Sequence, residues 1–490
     1  MKVLLVQPPY NRLKGLGWTT YPLGLGYLAA VLTDAGHECL IYNSEMKAPG
    51  EKGPPAPRHI SRFHNHRHYI ASLEKADHYV WQEVRKVLGE FSPDLIGITL
   101  SSQAFEPGLI IAKIAKELNP AVPIVAGGPH ATALPEDVLA DENIDYVILG
   151  EGETPLLALV KQIEQKNVNL SDIPGLCGKT EKGIHIGEVG PRLKNIDELP
   201  YPNRDVLHLH KGTKGHFNNV LGARGCPYRC SFCSSRNVWG KKVSNRSPQA
   251  LFEELMFIKE TYGSMDFVIY DDTFTSNFDR FLEFSQIVRD NGVPFLYTCS
   301  TRADRLNKKI VDTLKTSGCR LVSFGVEASD EKLLKNIGKG ITLEDVERSV
   351  RLLHEANIPF GAYFIVGYPD ETIETLDKTY EMMQHIKAEH LYLTVLAPYP
   401  ATPLYFDLRE KGLVPEKPDW KYYGTASPYR ILCKDIPPSL FWEKFSTLSQ
   451  LVDKTNQRRF REIERKLKLA ATDPKKAMEK LWQKIVGKKS

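Results

Sequence analysis

The chain alternates between two rhythms: short apolar runs that read as buried strands, and longer stretches with apolar positions three and four apart that read as amphipathic helices. In the first part the strands are "KVLLVQ" (2–7), "ECLIYN" (38–43), "DLIGITLSS" (94–102), "PIVAGGPH" (123–130) and "YVILGEGE" (146–153). Helices such as "LGLGYLAAVLTDAG" (23–36), closed by Gly36, and "GLIIAKIAKELN" (108–119) lie between them. This alternation predicts a doubly wound, Rossmann-like α/β domain over residues 1–165. Such sheets hold ligands beyond the carboxyl ends of their strands. The chain places Thr99, Ser101, Gly127, Gly128, Gly150 and Glu151 there, and the glycines allow close backbone approach.

Two stretches break the alternation. Residues 45–75 are rich in proline and contain His59, His64, His66 and His68; a solvated insertion loop is expected there in preference to a metal site. Residues 166–215 read as a small hairpin followed by an irregular linker that separates two domains. The pattern restarts at Phe217, with strands at "NNVLGARG", "DFVIYDD", "PFLYTCS", "RLVSFGVE", "FGAYFIVG" and "HLYLTVLA". Helices are expected at roughly 248–261, 278–291, 307–317, 342–356 and 371–387. Six βα units over 216–400 predict a partial TIM-type barrel with its chemistry at the carboxyl ends of the strands. Asp271, Asp272, Arg302, Glu327 and Gly367 fall there, the two aspartates either contacting a ligand or capping the helix that begins near Asn277. Residues 401–490 read as a helical C-terminal region.

Composition narrows the class. Of 490 residues, 64 are basic and 60 acidic, a balance that offers no general nucleic-acid surface. Neither an export signal nor an apolar run long enough to span a bilayer is apparent, so a cytoplasmic location with reduced cysteines is expected. Of the 8 cysteines, Cys39, Cys177, Cys299, Cys319 and Cys433 are scattered singly and read as small buried hydrophobes. Cys226, Cys230 and Cys233 crowd into "GARGCPYRCSFCSS". A structural zinc site takes four protein ligands, often as two close pairs, and no second pair is near. Three thiolates suit a four-iron cluster with one iron left open for a substrate or cofactor. Gly225 and Pro227 shape the loop, and Arg224 and Arg229 are placed to offset the cluster's charge.

"CPYRCSFC" resembles the Cys-x3-Cys-x2-Cys signature of radical S-adenosylmethionine (SAM) enzymes, including the aromatic Phe232 before the last cysteine. "YDDTF" (270–274), "TRAD" (301–304), "FGVEASDEKLLKNIGKG" (324–340) and "FIVGYPDET" (364–372) extend the resemblance across the barrel. It implies a [4Fe-4S] cluster on Cys226, Cys230 and Cys233, and SAM held near Phe232, Asp272, Arg302, Glu327 and Gly367. "GGPHAT" (127–132) and "ILGEGE" (148–153) before such a barrel resemble the cobalamin-binding (B12) domain of the cobalamin-dependent branch. That implies cobalamin near Thr99, Ser101, Gly127, Gly128, Gly150 and Glu151. The Asp-x-His-x-x-Gly motif that supplies histidine to cobalt in methionine-synthase-type domains is missing from "QPPYNRLKGLGWTTYPLGLG", so a cobalt without protein histidine is expected.

The resemblance implies a class B radical SAM methyltransferase that moves a methyl group to an unactivated carbon through a 5′-deoxyadenosyl radical and methylcobalamin. The alternatives are an anaerobic oxidative cyclase like the magnesium-protoporphyrin ester cyclase or another non-methylating radical enzyme, and, from a different class, a non-catalytic cobalamin or iron–sulfur sensor. The implied partners are a small-molecule or lipid-like substrate and an electron donor such as flavodoxin or ferredoxin. From Arg458 to Lys489 the chain is basic, and Phe460, Ile463 and Leu467 recur at helical spacing. Packing on the barrel is expected of this helix, with peripheral contact on an anionic membrane as the other use of such a stripe.

Overall fold

The computed structural model describes residues 1–16, 20–47, 59–208, 217–292 and 295–472, with side chains described as far as Gln457. The first five strands form as the pattern requires: β1 (Lys2–Gln7), β2 (Glu38–Asn43), β3 (Leu95–Thr99), β4 (Ile124–Gly127) and β5 (Tyr146–Ile148). They pair in parallel in the order β2-β1-β3-β4-β5. Alternate residues of β1 serve opposite faces, Leu4 and Val6 in one apolar core and Val3 and Leu5 in another, because helices cover both sides of the sheet.

The hairpin read from residues 166–215 does not stand apart from this sheet. β6 (Leu176–Thr180) adds antiparallel to β5, and β7 (Gly183–His185) adds to β6, giving seven strands. The linker also packs back: Leu207 bridges to Ile41, and Arg204 is buried against Glu254. The histidine-rich stretch departs from a solvated loop as well. Helices Ser61–His64 and His66–Glu74 form there, and His59 and His66 are buried. His59 Nδ1 meets Ser449 Oγ at 3.0 Å and its Nε2 meets the Leu393 carbonyl at 2.8 Å, while His66 Nε2 meets the Lys421 carbonyl at 2.8 Å. These imidazoles fasten the insertion to the C-terminal region, and burial drives the His66 pKa down to about 4, so that ring is neutral. Residues 48–58 of the stretch lie outside the described residues.

The second sheet has six parallel strands in the order β15-β14-β13-β12-β11-β8. They are β8 (Asn219–Val220), β11 (Asp266–Ile269), β12 (Leu296–Arg302), β13 (Cys319–Glu327), β14 (Phe360–Val366) and β15 (His390–Val395). A two-stranded antiparallel ribbon of β9 (Ala223–Arg224) and β10 (Ser244–Asn245) stands beside it. Helices Pro248–Tyr262, Phe278–Asn291, Lys308–Thr316, Leu343–Ala356 and Ile373–His385 alternate with the strands, within two residues of the predicted bounds. Local chemistry sets their starts: Ser247, Asn277, Asn307, Thr342 and Thr372 each accept a backbone N–H of the first turn. Asn277, not Asp271 or Asp272, therefore caps its helix. A final helix, Pro438–Thr472, packs on β15 through Phe441 and Phe445. The side chains from Arg458 onward, which carry the basic stripe, lie outside the described residues. Among the described residues no helix is long and apolar enough to cross a membrane.

Candidate active site

Two features meet between the sheets. The first is a cavity of about 480 Å³ at the carboxyl ends of β1, β3, β4 and β5. Its floor is backbone. Gly97, Gly127, Gly128, Gly150 and Gly152 line it, together with Thr99 and Glu151. Gly128 has φ +92°, and a Cβ there would stand 2.7 Å from Thr99 Oγ1, so only glycine lets the chain turn under the cavity. Gly24, on the first helix, faces open space where a side chain would project. Ser101, expected on this wall, is not among its residues, and among the described residues no histidine lines it. His130 of "GGPHAT" points elsewhere: buried against Phe105 and Trp420, it meets Ser102 Oγ at 3.0 Å, and burial drives its pKa down to about 3.

The opposite wall belongs to the second half of the chain. Leu221, Arg224, Val238, Trp239 and Tyr270 line the cavity too. Arg224 is 3 % exposed and joins Glu151 Oε1 at 3.1 Å and Glu153 Oε1 at 2.6 Å. It therefore does not sit beside the cysteines to offset cluster charge. Its two carboxylates hold it, and Glu151 also accepts the Leu193 N–H at 2.7 Å.

The second feature is the cysteine loop between β9 and helix Ser235–Trp239. Gly225, at φ +94°, opens it, and the Ser231 N–H and hydroxyl both donate to the Ile337 carbonyl at 2.9 Å. Cys226, Cys230 and Cys233 are all free thiols, and none is fully buried. Among the described residues no three His, Cys, Asp or Glu side chains converge as ligands of a single ion. Arg302 brings a cation to the thiols, with Lys339 also acting on Cys230: the Arg302 Nη1 lies 3.7 Å from Cys230 Sγ, and its guanidinium stacks 3.7 Å over the Tyr228 ring. Phe232 is half-buried against the barrel core.

The strand ends carry the remaining residues named from the sequence. Asp271 is buried, accepts the Gly222 and Ala223 N–H groups at 2.6 and 2.9 Å, and faces Arg280 at 3.7 Å. Burial pushes its carboxyl up to about 6 despite these partners. Asp272 accepts the Ser235 hydroxyl at 2.5 Å. Glu327 ends β13 at φ 68°, after a register shift, and pairs with Lys339 Nζ at 2.5 Å. A non-glycine residue at positive φ stores strain of the kind found at ligand sites. Lys339 was not foreseen; its carbonyl accepts Arg302 Nη2 at 2.7 Å, which completes a chain from Cys230 to Glu327. Gly367, at φ +92°, donates its N–H to Glu371, whose carboxyl burial raises to about 7. Beside them the Tyr368 and Ser329 hydroxyls are buried without a partner. Buried polar atoms seldom go unpaired, so this mouth has the polar vacancies that a bound SAM would fill.

The B12 binding domain matches residues 16–160, and the Radical SAM superfamily matches residues 220–383. An uncharacterized methyltransferase of Pyrococcus horikoshii is 31 % identical over 433 residues, 87 % of each chain. This chain belongs to the B12-binding radical SAM family. The cofactors of that family are a [4Fe-4S] cluster, SAM and cobalamin. The anaerobic magnesium-protoporphyrin IX monomethyl ester cyclase of Cereibacter sphaeroides is 29 % identical over 380 residues, 74 % of this chain and 60 % of that protein. Among solved structures, the radical SAM methyltransferase TsrM of Kitasatospora setae aligns over 84 % of this chain and 76 % of its own, with TM-score 0.63 and 21 % identity, which shows a shared fold.

Proposed function

We propose that the protein is a cobalamin-dependent radical SAM methyltransferase acting on an unactivated carbon. One observation carries this reading: the cavity of the first sheet and the cysteine loop share a wall, since Val238 and Trp239, just beyond Cys233, line the cavity. A methyl carrier in the cavity and a radical generated at the loop would then serve one substrate between them. When bound, the cofactors supply low-potential electrons, a carbon-centred radical and a transferable methyl group.

The chain's own residues do the positioning. Cys226, Cys230 and Cys233 supply the thiolates, and Arg302 stabilises them through its contact with Cys230. Glu327 offers a carboxylate to the amino or ribose groups of SAM, Asp272 and Phe232 flank the loop, and Gly367 leaves backbone open to the adenine. Thr99, Gly127, Gly128 and Gly150 present the floor on which a flat macrocycle can rest. The domains are residues 1–165 for cobalamin and 216–400 for the radical site, joined by 166–215, with the helical region from 401 onward packed against both as far as its described side chains reach, to Gln457. An electron donor of the flavodoxin or ferredoxin kind is required.

The relative from Pyrococcus horikoshii, similar along nearly its whole length, is named a methyltransferase, and this supports methyl transfer over cyclisation. The test is product analysis of the anaerobically reconstituted full chain. S-adenosylhomocysteine and 5′-deoxyadenosine formed together, with a methylated product, are expected. 5′-Deoxyadenosine alone would transfer the assignment to the cyclase reading, and absence of SAM turnover would leave a sensor.

A further inference from the structure

The barrel strands are buried on the wrong side for a filled barrel. A closed (β/α) barrel packs layers of inward side chains into a core. Here the positions turned toward the helices are buried, among them Ile269, Cys299, Phe364 and Leu393. On β11, β12, β14 and β15 alternate, inward positions retain exposure, among them Val268, Thr298, Ser300, Tyr363 and Tyr392, whereas Ser323 on β13 is buried. The barrel therefore keeps a hollow layer at mid-height.

That layer has a distinct chemistry. Tyr363 and Tyr392 are register partners on β14 and β15, and their rings stack with centroids 4.4 Å apart at 17°. The Tyr363 phenol lies against the hydroxyls of Ser323 and Ser300, and the Tyr392 phenol against Ser323. Gly361 makes room for the pair, because a Cβ there would stand 2.9 Å from Tyr392 Cε2 and 2.5 Å from Ser323 Oγ. Tyr270, 46 % exposed, follows β11, lies within electrostatic reach of both phenols and also lines the cavity of the first sheet. It stands where hollow and cavity meet. Ion pairs lie at both ends of the strands, Asp266 with Arg320 at their start and Glu327 with Lys339 at their end, and the His390 ring stands 6.3 Å from that of Tyr392.

We propose that this tyrosine layer is the substrate-recognition site and selects an uncharged, flat, unsaturated ring system with hydrogen-bonding groups on its edge. The proposal rests on the reading of the barrel as the radical site and names its substrate class. Aromatic walls prefer π-faced partners. Phenols and serine hydroxyls both donate and accept, so they suit polar edges. An ionised group entering the layer would be stripped of water, while the ion pairs at the two ends of the strands already satisfy each other.

The test uses three probes of one shape with the reconstituted full chain: 2-naphthol, the anion 2-naphthoate and the saturated decahydro-2-naphthol, followed by titration calorimetry and saturation-transfer NMR. 2-Naphthol should bind about tenfold more tightly than the other two, the charged probe failing through desolvation and the saturated one through lost ring contact. Tyr363→Leu should weaken 2-naphthol about fivefold or more, and Tyr363→Phe, which keeps the ring, should weaken it less. Ile184→Ala on the hairpin should not alter binding. The Phe variant decides the matter should the Leu variant not fold. Equal binding of the three probes, no binding of 2-naphthol, or wild-type affinity in both Tyr363 variants would each overturn the proposal. SAM cleavage measured on the same samples keeps the two readings apart: a chain that discriminates the probes but never turns over SAM retains this site and loses its assigned chemistry.

Discussion

Replacing Glu371 by Gln is expected to stabilise the protein in mildly alkaline buffer and to do little in acid. Glu371 is 1 % exposed, and its carboxylate oxygen accepts the N–H groups of Gly367 and Tyr368, the latter at 3.2 Å. Burial lifts its pKa from the ordinary 4.5 to about 7, with those hydrogen bonds and that of Thr375 pulling back. A raised carboxyl pKa means that the native state holds its proton longer than the unfolded chain does. The stabilisation is full below pH 4.5, fades above it, and is gone once the pH has passed about 7. At about 1.4 kcal/mol for each pH unit between the two values, ionised Glu371 costs the native state about 3 kcal/mol. Glu371→Gln keeps an oxygen for both N–H groups, offers an amide toward Thr375 and cannot ionise. Urea unfolding of variant and wild type should therefore give nearly equal midpoints at pH 4, and at pH 8 an advantage to the variant approaching 3 kcal/mol. A variant destabilised equally at both pH values would refute the reasoning, since it would mean that the ionised carboxylate contributes favourably to the turn at Gly367.

Cys226→Ala, Cys230→Ala and Cys233→Ala should each lose the cluster by iron and sulfide counting and Mössbauer spectroscopy, whereas Cys39→Ala should keep it, because its buried thiol lies on β2. The electron paramagnetic resonance spectrum of the cob(II)alamin form should show no superhyperfine splitting from a protein imidazole, since no histidine among the described residues lines the cavity. Arg224→Met should lower stability in urea by about 3–5 kcal/mol by leaving Glu153 buried without its cation, and the double variant Arg224→Met/Glu153→Leu should recover most of the loss.

Strand and helix positions were legible because they depend on local periodicity: β13 was read as "RLVSFGVE" and forms over Cys319–Glu327. Polar pairing was not. His59 meets groups 334 and 390 residues away, and His66 one 355 residues away, so no window around them distinguishes a buried tether from a solvated loop. Arg224 beside a cysteine motif suggested charge compensation, yet its partners come from the end of β5, and Arg302, brought from β12, takes that place at Cys230. The hairpin at 176–185 was recognised, but its pairing with β5 is an edge-to-edge contact that strand chemistry alone does not encode. The hollow layer was illegible for a related reason: inward and outward positions share the same two-residue period, and only closure of the sheet tells them apart.

The stretch from Gly222 to Trp239 ties the two independently built sheets together. Gly222 and Ala223 are tied by their N–H groups to Asp271 of the barrel, and the next residue, Arg224, is tied by its side chain to Glu151 and Glu153 of the first sheet. The hand-over between the halves thus occurs across a single peptide. The cysteine loop follows at once and is held on the barrel side through Ser231 and Ile337, after which helix Ser235–Trp239 packs against Pro129–Ala133 and closes the cavity. A loop anchored to the B12 half at both ends and to the barrel in its middle cannot shift relative to either without breaking buried hydrogen bonds or an ion pair. Chemistry shared between two halves demands tightly fixed distances, and under the proposed function those distances would depend on this one short segment.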